Sequence, residues 1–146
     1  MRLVAGVTLA VSLVLVAGVA LAQDDPVGAR QKLMKMNNAS IRAAFGLATG
    51  KAPYDAAKAG DAMKQIITDM DQFLTLFPEG STGGQTEASP DVWTHMEDFE
   101  ALALKLQTDA LAAANIAPSG PDAFKAAVLA VNADCTACHQ KYRVSE

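Results

Sequence analysis

Two cysteines and a histidine carry the densest chemistry in the chain: Cys135-Thr136-Ala137-Cys138-His139. Each thiol can add across one vinyl group of an iron porphyrin and leave a thioether, and the adjacent imidazole can bind the iron axially. On a helix Cys135 and Cys138 are three apart and share a face, and His139, four after Cys135, reaches the same metal. The spacing reads as covalent attachment of one haem c through Cys135 and Cys138, with His139 as axial iron ligand. Other uses of the pair fit less well. A redox dithiol of the thioredoxin kind opens a helix after a strand, and no strand pattern precedes Cys135. A zinc site needs more ligands, yet the chain has only these two cysteines, and its other histidine, His95, is remote in sequence. A plain disulfide would give His139 no role.

The N-terminus supplies context. Met1-Arg2 is a short basic start, Leu3 to Val19 is almost wholly apolar, and Ala20-Leu21-Ala22 puts small residues at the −3 and −1 positions before Gln23. This predicts a secretory signal peptide over 1–22, cleaved after Ala22. A retained membrane anchor is the competing reading, and the A-x-A ending followed by polar Gln23-Asp24-Asp25 argues against it. Haem attachment of this type takes place outside the bacterial cytoplasm, so both signals point to the periplasm, with no stable membrane association once the signal is removed. Residues 23–146 then make one domain with a single core. The formal charge of −4 becomes more negative on loss of Arg2. A mildly acidic surface argues against nucleic acid or anionic lipid as partner.

Something must position the motif, and the pattern is helical throughout. Pro26, Pro53, Pro90 and Pro121 each precede a long helical segment, as proline at a first helical position does. Ser89 reads as an N-cap, and Asp91 and Asp122 put negative charge in first turns. The segments are expected at about 26–49, 53–77, 90–115 and 121–143. The clearest amphipathic stripe is Met63, Ile66, Ile67, Met70, Phe73, Leu74 and Phe77. Val92, Met96, Phe99, Ala103, Leu106 and Ala110 form the seam of the third segment, and Phe124, Val128, Val131, Cys135 and Cys138 that of the fourth. Short connections force antiparallel neighbours. The expected fold is all-α: an antiparallel up-down-up-down four-helix bundle with the haem at one end. That topology makes Arg30, Met34, Phe73, Phe77 and Trp93 neighbours of Cys135, Cys138 and His139, with the glycine-rich link 78–89 closing the same end.

On these motifs the chain resembles the cytochrome c′ family. The carriers are Arg30-Gln31-x-x-Met34, Ala52-Pro53-Tyr54-Asp55-Ala56-Ala57, the Gly83-Gly84 link leading to Ser89-Pro90-Asp91-Val92-Trp93, and Cys135-x-x-Cys138-His139-x-x-Tyr142-Arg143. The resemblance implies a five-coordinate haem whose other side is apolar and occupied by Met34. A thioether can also ligate iron, so Met34 is either a sixth ligand or only an occluder. Arg30 and Gln31 resemble the pair that contacts a haem propionate, a role suited to the planar guanidinium fork. Thr86 and Glu87 fall where the family places further haem contacts, and a backbone contact suits Glu87 better than a carboxylate beside a propionate. Arg143 resembles the arginine beside the proximal histidine; a plain helix-end charge is the other reading. His95, Tyr54 and Trp93 read as flank or packing residues.

The implied function is a non-enzymatic haem protein that binds small diatomic ligands such as nitric oxide and carbon monoxide, passes electrons to a redox partner protein, or both. The alternative is a low-spin electron carrier ligated by His139 and Met34. Nothing resembling a peroxidase acid–base pair is in view. The resemblance also implies a homodimer paired through the first two helices.

Overall fold

Asp25 opens the fold in a computed structural model that describes residues 25–144; the signal peptide expected over 1–22 lies outside them. The Asp25 carboxylate accepts a hydrogen bond from the Gly28 amide at 2.8 Å, and Pro26 takes the first turn, where no N–H is needed. From there α1 runs Pro26–Ala48. It stops at Thr49, whose amide and hydroxyl both donate to the Phe45 carbonyl, and at Gly50, whose φ of 74° suits a residue without Cβ.

Helix α2 spans Ala56–Leu74 and so begins later than Pro53. Asp55 is the reason: its carboxylate accepts from the Lys58 amide at 3.0 Å and caps the helix. The third expected segment divides into α3, Asp91–Thr94, and α4, Met96–Ile116, with His95 at φ −132°, ψ 42° between them. Ser89 acts at the start of α3, where its hydroxyl accepts from the Asp91 amide at 3.2 Å. The seam conceals the break because both pieces bury the same side, Val92 on one and Phe99, Ala103, Leu106 and Ala110 on the other. A 3-10 turn over 117–119 and Gly120, at φ 104°, lead into α5, Pro121–Tyr142.

Helix α1 packs on α2 and α5, and α4 packs on the same two, closing a square. Cross-links identify the ends. Tyr54, between α1 and α2, donates to the Ala117 carbonyl at 2.6 Å and meets Phe124 edge-on at 6.1 Å. At the opposite end Arg30 Nη2 donates to Ser81 O at 2.7 Å, and Gln31 Nε2 to Gln85 O at 2.9 Å. There too the Ser89 amide donates to Tyr142 O and the Val144 amide to Glu87 O, each at 2.9 Å. The start of α1, the 75–90 link and the end of α5 therefore share one end, so successive long helices run antiparallel. The fold is an up-down-up-down four-helix bundle. Among the described residues the only β pairing is an isolated bridge between Ala88 and Arg143, and no helix is long and apolar enough to cross a membrane. Met63, Ile66, Val92, Phe124, Val128 and Val131 are fully buried, each worth ~1.5–3 kcal/mol of apolar burial.

Candidate haem site

Helix α5 sets the motif near its last turns. Cys135 and Cys138 are both free and half-buried, packed against the core, and His139 is more accessible at the rim. Burial first, then the Asp134 charge, push the Cys135 thiol up. Burial first, then Cys135 and Asp98, push the Cys138 thiol up to about 11. Two protonated thiols at the C-terminal end of a helix are the opposite of an activated thiolate, which argues against a redox dithiol. Among the described residues no group of three His, Cys, Asp or Glu side chains is placed to hold a metal by itself. Burial and the positive Arg143 lower the His139 pKa, which keeps the imidazole neutral and able to ligate.

A cavity of about 620 Å³ opens at this end, within the ~300–1,000 Å³ common for cofactor sites. Arg30, Gln31, Met34, Phe77, Thr86, Glu87, Cys135, Cys138, His139 and Arg143 all line it. Every site residue expected from sequence is thus brought to one place. Phe73 borders it as expected, but Trp93 stands behind the wall. There Trp93 packs on Phe77 with centroids 5.8 Å apart and donates from Nε1 to Pro78 O at 3.2 Å. His95 is exposed, with Nδ1 2.9 Å from Thr94 Oγ1, and takes no part in the cavity.

Arg30 shows how the wall is built. Only 5% exposed, it lies over the Phe77 and Trp93 rings at 4.7 and 5.6 Å, with Nε on Pro26 O and Nη2 on Ser81 O. Its Nη1 is buried without a partner. Burial lowers the guanidinium pKa, but not enough to discharge an arginine. An unpaired, buried cationic donor at the cavity is suited to an anionic group. Glu87 does not compete for that role, because its carboxylate holds Arg143 Nε at 2.7 Å. Thr86 accepts from the Ala88 amide at 3.2 Å and shapes the link. Across the floor, Phe73, Phe77, Phe99 and Tyr142 form a chain of edge-on rings 4.8–5.3 Å apart at its successive contacts. Two thiols on one helical face, a neutral imidazole, an aromatic and aliphatic slot and an unpaired guanidinium nitrogen fit an iron porphyrin bearing propionates.

Several lining residues go beyond those read from sequence, among them Val27, Asn38 and Ile41 on α1. Asn37 is unexpected: it is a buried amide on an otherwise apolar face of α1, and the Leu33, Asn37, Ala44 spacing could have revealed it. Beside the motif, Lys105 Nζ bonds Asp134 at 2.6 Å and Asp109 at 2.8 Å. Burial still holds the Asp134 pKa above the usual value, because one lysine serves two carboxylates.

The cytochrome c′ family model matches residues 25–143. Cytochrome c-556 of Agrobacterium fabrum is 36% identical over 117 residues, 80% of this chain and 80% of that protein. Among solved structures, cytochrome c′ from Rhodopseudomonas palustris superposes with a TM-score of 0.78 at 28% identity, covering 85% of this chain and 99% of that one. The nitric oxide complex of a leucine-to-alanine mutant of cytochrome c prime from Alcaligenes xylosoxidans matches with a TM-score of 0.75 at 28% identity, covering 84% and 95%. A model match across nearly all the described residues, together with the shared bundle fold, shows that this chain belongs to the cytochrome c′ family, whose cofactor is covalently attached haem c.

Proposed function

We propose that the chain is an exported, non-enzymatic haem c protein that binds small diatomic ligands such as nitric oxide. One observation carries the reading: ten residues chosen for chemistry, from α1, the 75–90 link and α5, border a single cavity. Cys135 and Cys138 would hold the porphyrin as thioethers, and His139 would supply a nitrogen ligand to its iron. Arg30, with its unpaired Nη1, and Gln31 take the propionate edge beside Thr86 and Glu87. Bound haem supplies an iron centre that takes up a diatomic ligand and an electron. The chain's own part is to exclude water with the Phe73, Phe77 and Phe99 rings and to limit access with Met34. Among the described residues the one carboxylate in the wall, Glu87, is committed to Arg143, which suits a binder better than an acid–base catalyst.

Periplasmic export follows the signal-peptide reading of residues 1–22. Cleavage after Ala22 would leave Asp25 in place to cap α1, two residues inside the new terminus. A second reading rests on Met34 itself. Its side chain borders the cavity from α1, which packs on α5, so the thioether is available as a sixth ligand and the protein becomes an electron carrier.

The absorption spectrum of the reduced protein, with and without nitric oxide, tests both. A broad high-spin Soret band that changes with nitric oxide is expected. Sharp split visible bands that ignore it would select the electron carrier. Haem extracted by acid acetone would refute thioether attachment.

A further inference from the structure

Among the described residues, haem binding leaves one buried polar residue of the cavity wall unexplained, Asn37. It lies on α1 one turn beyond Met34, is only 9% exposed, and borders the cavity with Met34, Ile41 and Met70. A buried amide has two N–H donors and a carbonyl oxygen to satisfy. Asn37 satisfies one: Nδ2 donates to Met70 Sδ at 3.4 Å, a weak acceptor. Its Oδ1 is buried without a partner. Exchanging the amide's two ends is no remedy, since the oxygen would face the thioether and the nitrogen would be left unpaired. A partnerless buried polar group costs stability, and leucine would fill nearly the same volume. Its neighbours on the same face of α1, Leu33 and Ala44, are apolar and buried. Helices α1 and α5 run antiparallel in contact. The step forward from Met34 to Asn37 therefore matches the step back from Cys138 to Cys135, ~4.5 Å along the axis. The amide thus belongs to the Met34 side of the cavity, one turn deeper.

Building on the proposed function, we infer that Asn37 is the hydrogen-bonding, specificity-determining residue of the ligand pocket. Its second N–H, the one not committed to Met70, donates to a ligand atom able to accept. A wholly apolar pocket ranks ligands by size alone. One donor inside it adds a second criterion, so ligands that accept a hydrogen bond gain over carbon monoxide. Met34 then sets size and Asn37 sets polarity, on adjacent turns of one helix.

The test uses haem-loaded protein carrying Met34→Ala, which opens the pocket whichever role Met34 has, alone and combined with Asn37→Leu or Asn37→Ala. The readouts are the infrared C–O stretch of the ferrous carbon monoxide adduct, cyanide affinity of the ferric form, and Tm. Asn37→Leu should move the stretch to higher frequency and weaken cyanide about fivefold, equivalent to one net hydrogen bond. It should also raise Tm, because an unpaired buried amide is removed; a residue present only to hold Met70 would lower Tm and leave the stretch alone. Asn37→Ala should move the stretch the same way, which covers the case of a leucine variant that does not fold. An unchanged stretch in the apolar variants overturns the inference. Failure to form any carbon monoxide adduct would instead reject the ligand-binding reading, and this inference with it.

Discussion

Met34 and His139 reach the cavity from α1 and α5, and the iron chemistry depends on how the two differ. Burial, and then the positive Arg143, lower the His139 pKa from its ordinary value, which favours the neutral imidazole that can ligate. Met34 is half-buried and apolar, and a thioether can pack or ligate. Met34→Ala decides which. On the ligand-binding reading it should speed carbon monoxide association in stopped-flow while the spectrum stays high-spin, with up to ~3 kcal/mol of packing lost. Conversion of a low-spin spectrum to a high-spin one would show ligation, and no effect on rate or spin would make Met34 ordinary core. At this scale the sequence was legible where a residue type is rarely wasted, as in the Cys-x-x-Cys-His run, and where topology brings a residue to the same end, as for Arg30. Asn37 was not legible, because one amide between apolar neighbours reads as a gap in a stripe until its missing partner is seen.

Helices were legible as periodic stripes, and their ends were less so, because ends are decided by single hydrogen bonds. Pro53 and Asp55 both suit a helix start; Asp55 prevails because its carboxylate reaches the Lys58 amide. His95 interrupts a seam that reads as continuous, since α3 and α4 bury the same side. The 75–90 link is the least patterned stretch, and its path depends on side chains from elsewhere. Arg30 and Gln31 hold its carbonyls, while Arg143 holds Glu87. Arg30→Met keeps apolar bulk against Phe77 and Trp93 but removes the bond to Ser81. It should destabilise the fold by about 2 kcal/mol, as expected for a charge-assisted hydrogen bond in a buried setting. Limited proteolysis should then cut faster within 78–90 than elsewhere. Cleavage no faster than in the parent would mean that the link is held without Arg30.

The whole molecule is a bundle whose cavity end is closed by the last turn of α5, and part of that closure is electrostatic. Asp98 on α4 accepts from Lys141 Nζ at 2.7 Å and from Tyr142 OH at 2.6 Å, while Tyr142 also packs on Phe99 in the cavity floor. The Lys141 and Tyr142 hydrogen bonds hold the Asp98 pKa below its ordinary 3.8. A carboxylate whose folded pKa is depressed stabilises the fold fully above its unfolded pKa, and that stabilisation fades as pH falls through the folded value. At the alkaline side Lys105, raised to about 12 by Asp109 and Asp134, behaves in mirror image. Its contribution is complete below the ordinary 10.5 and is lost only as pH rises through the raised value. Acid therefore loosens the cavity end through Asp98, whereas base acts on the α4–α5 contact beside Cys135. Asp98→Asn should accordingly lower Tm at neutral pH by an amount that stays constant down to about pH 5. The two Tm curves should converge in stronger acid, where the parent carboxylate is itself protonated. Thermal unfolding followed by circular dichroism across that range checks it. Curves that stay apart at the acid limit would mean that Asp98 holds Tyr142 by shape rather than by charge.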